Sequence, residues 1–312
     1  MTHSTLSAHE TTADGHFLRQ PDAFEDWITA DGSSGFPAVA GRYHLYICHA
    51  CPWAHRTVIV RQLKGLEHAI GMTAVDPIRD ERGWQFMPTE PDPINGFAFL
   101  SEAYFATDPS FRGRVTVPTL WDTHTGRIVS NNDDHIMRMF ETEFNALARF
   151  PELDLYPTSL RAQIDALNAQ IYDTVNDGVY RAGFATSVDA YETAVFRLFE
   201  TLDLLDARLA NQRYLFGAHP LETDWRLFVT LIRFDAVYVG HFKCNIRRIA
   251  DYQHLSGYLR DLYQYRNIAS TVHFDQIKRH YYMTHPEINP NRIIPVGPRL
   301  DLDAPHDRAR LA

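Results

Sequence analysis

The hydrophobic period changes along the chain, and the changes divide it. Tyr43-His44-Leu45-Tyr46-Ile47 is β-prone and alternating, which predicts a strand. From Cys51 onward the period is helical: Ala54, Val58, Ile59, Leu63 and Leu66 recur at three and four residues, with Gly65 near the end. Residues 72–75 read as a second short strand. Periodicity is then lost over 77–113, which is turn-rich through Pro77, Pro88, Pro91, Pro93 and Pro109. An irregular insertion of that length in a compact domain is usually functional. Residues 115–122 are strand-like around Pro118, and a turn at 123–126 leads into 127–130 to complete a hairpin. Asn131-Asn132-Asp133-Asp134 then predicts the cap of a helix carrying Ile136, Met137, Met139 and Phe140.

Beyond Pro157 the spacing is helical. Leu160, Ile164, Leu167, Ile171 and Val175 form one stripe; Tyr191, Val195, Leu198, Leu202, Leu205 and Leu209 form another. Further helical runs cover 225–239 and 249–282. The tail from Pro286 holds five prolines and is expected to be extended. The predicted organisation is an N-terminal extension over 1–40, anchored by Phe24, Trp27 and Phe36. An α/β domain over 41–150 with its insertion at 77–113, an all-α domain over 151–285 and a tail over 286–312 follow.

A chain of 312 residues accommodates two cores, and 45% hydrophobic with 22% charged residues is ordinary for globular protein. The net charge of −9 supplies no basic footprint, which argues against nucleic acid as a partner. No run approaches the ~18–20 apolar residues of a membrane span, and the polar N-terminus lacks a signal-peptide core. A soluble cytoplasmic protein is expected. Its three cysteines, Cys48, Cys51 and Cys244, are too few for a disulfide framework and suit a reducing compartment.

Cys51 is the candidate nucleophile. Cysteine attacks as the thiolate, and a helix N-terminus favours the anion through unpaired amide N–H groups and the helix dipole. Proline is favoured at the first helical position, so Pro52 makes Cys51 the expected N-cap. A small buried cysteine beside a helix-starting proline is the bland alternative. Cys48 and Cys51 form a C-x-x-C pair with three readings. Half of a zinc site would draw on His44, His49 and His55 but lacks a second cysteine pair. A dithiol redox pair would need Cys48 to act from the strand end, because Ala54 stands where the helix would carry a resolving thiol. A buried spectator is the third.

These residues resemble a known family. Cys51-Pro52-Trp53-Ala54-His55-Arg56, Gly83-Trp84, Arg114-Val115-Thr116-Val117-Pro118, Gly178-Val179-Tyr180 and Val239-Gly240-His241-Phe242-Lys243-Cys244-Asn245 are similar to segments of the Xi-class glutathione transferases, also called glutathionyl-hydroquinone reductases. The resemblance runs from about residue 17 to residue 300. It implies a thioredoxin-like α/β N-terminal domain, an all-α C-terminal domain and a homodimer. The implied reaction takes a glutathionyl hydroquinone and glutathione to the free hydroquinone and glutathione disulfide. By the same resemblance Cys51 accepts the glutathionyl group, Trp84 packs on the tripeptide, and Val117, before a normally cis proline, pairs with its cysteinyl segment. Arg114 would meet a ligand carboxylate, Tyr180 would donate a proton to the hydroquinone, and Tyr238 and Tyr281 would stabilise the thiolate. No metal is implied.

Two positions depart from the family pattern. Asn132-Asp133, followed by Asp134, replaces a common Glu-Ser at the γ-glutamyl end of the ligand. Asn132 and Asp133 suit its ammonium, but adjacent carboxylates repel its carboxylate unless the helix N-terminus compensates. Another small thiol such as mycothiol is therefore an alternative to glutathione. Leu221 stands where the family often has a capping Thr before Asp224, and Thr223 is the candidate replacement. The competing functions are a glutaredoxin- or dehydroascorbate-reductase-like thiol transferase using the same cysteine, and a transferase-like binding module without catalysis.

Overall fold

The first strand, β1 (Tyr43–Ile47), is buried along its whole length, so both faces of the sheet are covered there. The computed structural model describes residues 10–311. The first nine residues of the expected 1–40 extension, and Ala312, lie outside the described residues. Two units are present, one built from 20–153 with 273–284, the other from 10–19, 154–272 and 285–311.

In the first unit β1 leads through Cys51 into α1 (Pro52–Leu63) and on to β2 (Ile70–Ala74). β3 (Thr119–Asp122) and β4 (Arg127–Ser130) follow, and α3 (Asp133–Arg138) closes the unit after α2 (Ser101–Thr107) in the insertion. The sheet order is β2-β1-β3-β4, with β1 parallel to β2 and antiparallel to β3, and β3 antiparallel to β4. α1 ends on Gly65 at φ +66°. The Gly65 and Leu66 N–H groups bond back to the Gln62 and Arg61 carbonyls, a Schellman stop. A Cβ at Gly65 would lie 2.7 Å from the Arg149 Cβ, so glycine is required there by space as well as by φ.

Two expectations change. Strand β3 begins at Thr119 rather than at residue 115, because Pro118 has no N–H to give a ladder. The insertion 77–113 is more ordered than its composition suggests and includes α2. Its Asp92, 4% exposed, accepts from the Tyr46 hydroxyl at 2.8 Å and from the Ile94, Asn95 and Phe97 N–H groups. Phe86 packs edge-on against Tyr46. The insertion thus covers one face of β1, and Phe86 and Tyr104 are core. Phe24 of the N-terminal arm stacks on Phe111.

At the hairpin, Asp122 is fully buried and takes a bidentate pair from Arg42, at 2.8 and 2.6 Å, plus the Thr125 hydroxyl and the His124 N–H. Burial pushes its carboxyl up, but Arg42 and these donors outweigh burial and hold it below 3.8. A depressed folded-state value contributes stability above pH 3.8, lost as pH falls through that lower value. Asp122→Asn is therefore expected to lower unfolding stability by about 2 kcal/mol near neutrality. In urea titrations the deficit should shrink as the solution is acidified below pH 3.8; a constant deficit at all pH values would contradict this.

The second unit is helical: α4 (Arg161–Ile171), α5 (Gly178–Gly183), α6 (Val188–Arg208), α7 (Glu222–Arg233) and α8 (Leu255–Gln264). α4 and α7 each run into a π-helical turn, Tyr172–Asn176 and Phe234–Tyr238. Such turns often mark functional positions. α7 starts without a side-chain cap from Leu221, and the Thr223 hydroxyl has no partner among the described residues, so Thr223 does not replace the missing threonine. Asp224 does the work instead: its carboxylate accepts from the Leu221 N–H, the Leu215 N–H and the Tyr258 hydroxyl at 2.7–2.9 Å. The last helix, α9 (Phe274–Thr284), follows these in sequence yet groups with the sheet-containing unit. Residues 286–307 carry no regular element. No helix among the described residues is long and apolar enough to cross a membrane.

Candidate active site

Cys51 is the N-cap of α1, with extended backbone (φ −74°, ψ 123°) and Pro52 at the first helical position. Extended geometry at the cap and a preset φ in the proline aim the first amide N–H groups of the helix at the cap residue's surroundings. Cys51 as a residue is 9% exposed, whereas Cys48 and Cys244 have no exposure. The Cys51 thiol lies 3.4 Å from the Val117 carbonyl oxygen, which accepts from it. The Val117–Pro118 peptide is cis. Burial, followed by the charge of Cys51, pushes the Cys48 thiol up to about 12, so Cys48 is protonated at neutrality and is a poor metal ligand or nucleophile. Burial pushes Cys244 up further. Brief iodoacetamide treatment of the native protein near pH 8 should therefore leave Cys48 and Cys244 unmodified and place any label on Cys51, read by peptide mass spectrometry. Label on Cys48 in the folded protein would contradict this assignment.

Trp84, 4% exposed, has two ring partners. The Arg79 guanidinium is 4.9 Å from its ring centroid, and His280 of α9 stacks on it at 5.4 Å. His280 Nδ1 sits 2.6 Å from the Pro77 carbonyl; a carbonyl only accepts, so this nitrogen carries the proton. The Trp84 indole N–H is buried with no hydrogen-bond partner among the described residues, which leaves a donor for a ligand. Tyr281 follows His280 on α9 and is 1% exposed, in the same unit as Cys51. Arg114 is half-buried in the segment that leads to Val117.

The capping segment answers the question of repulsion. Asn132 caps α3, its side-chain oxygen accepting from the His135 N–H at 3.1 Å and its amide donating to Glu25. Its carboxamide is thus engaged at both ends. Asp133 accepts from Arg56 at 2.7 Å, and Asp134 lies 3.4 Å from the same Arg56 nitrogen. Arg56 is 1% exposed and its guanidinium also lies 4.6 Å from the Trp53 ring. A buried cation therefore offsets one of the two negative charges, with Asp133 the nearer partner. Arg56 has no role assigned by the motif alone; its signal in the sequence is a charged residue in the middle of an otherwise apolar face of α1.

The second unit brings Tyr180 and Tyr238 together, ring centroids 6.1 Å apart, with Phe242 against both at 5.4 and 5.5 Å. Tyr238 ends the π-helical turn after α7 and is fully buried; Tyr180 on α5 is partly exposed. Gly183 makes room for this cluster, since a Cβ there would lie 2.2 Å from the Phe242 ring. Among the described residues no three His, Cys, Asp or Glu side chains form a group that could hold a metal ion.

Comparison with known proteins places this arrangement. Residues 50–143 match the glutathione S-transferase N-terminal domain model and 188–261 the C-terminal domain model. The chain is 51% identical to the glutathionyl-hydroquinone reductase YqjG of Escherichia coli K12 over 94% of its own length and 92% of that protein's. The chain belongs to the glutathionyl-hydroquinone reductase family of glutathione transferases. The glutathione-bound structure of YqjG superposes with a TM-score of 0.89, covering 92% of this chain and 96% of that one. The Xi glutathione transferase of Phanerochaete chrysosporium, 48% identical, gives 0.93 over 98% and 100%. The thioredoxin-like unit and the helical unit are thus the two halves of a glutathione transferase fold.

Proposed function

We propose that this protein is a glutathionyl-hydroquinone reductase in which Cys51 takes the glutathionyl group as a mixed disulfide. The observation that carries the reading is the placement of Cys51: cap of α1, ahead of Pro52, its thiol 3.4 Å from the Val117 carbonyl. The Cys51 thiolate attacks the conjugate's sulfur; the S–S bond forms as the aromatic C–S bond breaks. The electron pair stays on the ring carbon, and Tyr180 protonates it. The thiolate of a second glutathione then attacks the mixed disulfide, its proton restoring Tyr180, and glutathione disulfide leaves. Ala54 offers no internal thiol, so the resolving thiol must be external. Tyr238 and Tyr281 carry, by the family resemblance, the role of favouring the thiolate; Tyr281 lies in the same unit as Cys51.

Glutathione rather than mycothiol is the thiol in this reading. The E. coli relative was solved with glutathione bound, and Arg56 beside Asp133 and Asp134 weakens the repulsion that their carboxylates offer a ligand carboxylate. Asp133 receives the ligand ammonium, Arg114 a carboxylate, Trp84 the tripeptide through its face and N–H, and Val117 the cysteinyl backbone. Asn132 contributes by holding the α3 cap. We carry the homodimer and the cytoplasmic location as parts of the same proposal; sedimentation of the purified protein checks the first. The test of the reaction is direct. A glutathionyl hydroquinone and glutathione, incubated with the enzyme, should yield free hydroquinone and glutathione disulfide in equal amounts. Turnover of dehydroascorbate or simple mixed disulfides without conjugate cleavage would instead favour the thiol-transferase reading.

A further inference from the structure

Arg19 lies in the N-terminal segment that groups with the helical unit. Its Nε donates to Asp177 at 2.7 Å, and the Asp177 carboxylate is 2% exposed. The other Asp177 oxygen accepts from Arg181 Nε at 2.9 Å, and the Asp177 backbone carbonyl accepts from the Tyr180 N–H at 3.0 Å. One residue therefore fixes both the arginine and the tyrosine. The result is a guanidinium carbon 4.8 Å from the Tyr180 ring centroid, with the Phe17 ring centroid 5.4 Å from the same carbon. Burial works against the Arg19 charge, but Asp177 and the neighbouring Tyr180 and Tyr172 more than restore it, so Arg19 is cationic throughout.

The other groups around Tyr180 do not compete for this role. Phe184, Tyr238 and Phe242 surround the ring. Behind Phe242 the His241–His285 pair is joined at 3.1 Å, and burial, then Lys243, holds His241 down at about 4, neutral near pH 7. Asp173 pairs with Arg181 and with Arg197. Arg19, Arg181 and Arg197 thus meet two carboxylates, Asp173 and Asp177, which leaves the cluster with one excess positive charge. A cation on an aromatic face is attracted by the ring, and far more by the ring's anion.

We propose that Arg19 is a positioning residue for the reaction: held by Asp177, its guanidinium stabilises the phenolate that Tyr180 becomes when its proton passes to the departing hydroquinone carbon. The inference rests on the proton-donor role assigned to Tyr180 above, and its test separates the two. Arg19→Gln should lower kcat on a glutathionyl hydroquinone by about 10-fold, a part of what general-acid catalysis supplies, with KM changed less than about 2-fold. The loss should shrink for chlorinated hydroquinones, whose ring anion needs less help from a proton, and Arg19→Lys should recover most of the rate. In a Tyr180→Phe background Arg19→Gln should cost less than about 2-fold, because the group it serves is gone. An equal loss in both backgrounds, or a loss confined to KM or to thermal stability, overturns the role of Arg19 while Tyr180 stands. Wild-type turnover by Tyr180→Phe overturns the donor role itself, and the proposal with it.

Discussion

Cys51→Ala is expected to abolish conjugate cleavage, with kcat/KM reduced by at least about 10³-fold, because the variant has no nucleophile to accept the glutathionyl group. Mass spectrometry of wild type mixed with conjugate but no free glutathione should show one glutathionyl unit, carried on the peptide that contains Cys51. Cys48→Ala should accumulate the same adduct, since a fully buried thiol pushed up to about 12 takes no part. Cys51→Ser is the stricter comparison. It preserves size at the start of α1, where Cys51 makes no side-chain capping bond that could be lost, so a loss of turnover without a fall in melting temperature isolates the sulfur chemistry from the fold. Retained turnover by Cys51→Ala would remove the basis of the proposed function and leave the family and the fold as they are.

The second large effect concerns stability. Asp224→Ala strips a fully buried acceptor from the Leu221 N–H, the Leu215 N–H and the Tyr258 hydroxyl at once. Each buried donor left unsatisfied costs about 1–3 kcal/mol, so a loss of about 3–5 kcal/mol is expected. The melting temperature should drop by roughly 10 °C. Asp224→Asn retains one oxygen and should lose less. Tyr258→Phe removes a single bond and should cost only about 1 kcal/mol, since it takes the donor away rather than stranding it. Equal losses for Asp224→Ala and Tyr258→Phe, measured by urea unfolding, would refute the idea that this carboxylate organises the α7 start.

What could be read from residues alone was what adjacent residues decide. The step from β1 through Cys51-Pro52 into α1 is local grammar, a β-prone run followed by a proline that cannot sit inside either element. The β3–β4 hairpin and the Asn132 cap were legible for the same reason. The start of β3 was set four residues early because strand propensity does not register the N–H that Pro118 lacks. α2 was hidden by the turn residues around it, and the ordering of 77–113 depends on Asp92 reaching Tyr46 across 46 positions. The site shows the same limit. Cys51, Trp84 and Val117 stand out by motif, whereas Arg56 and His280 matter through partners distant in sequence. An arginine in a helix looks solvent-facing until Asp133 and Asp134 are seen beside it. Thr223 was offered as a cap on spacing, yet Asp224 was already satisfying the amide.

The excursion of α9 has a practical consequence for anyone cutting this polypeptide. Because Phe274–Thr284 belongs with the sheet and residues 10–19 with the helices, no single cleavage point yields both units intact. A fragment stopping at residue 153 would lose His280, and with it the aromatic lid over one side of Trp84. One beginning at 154 would lose the arginine that Asp177 anchors. Separate expression should therefore give insoluble or loosely folded halves, and isolating either half requires its separated segments to be rejoined through a new linker.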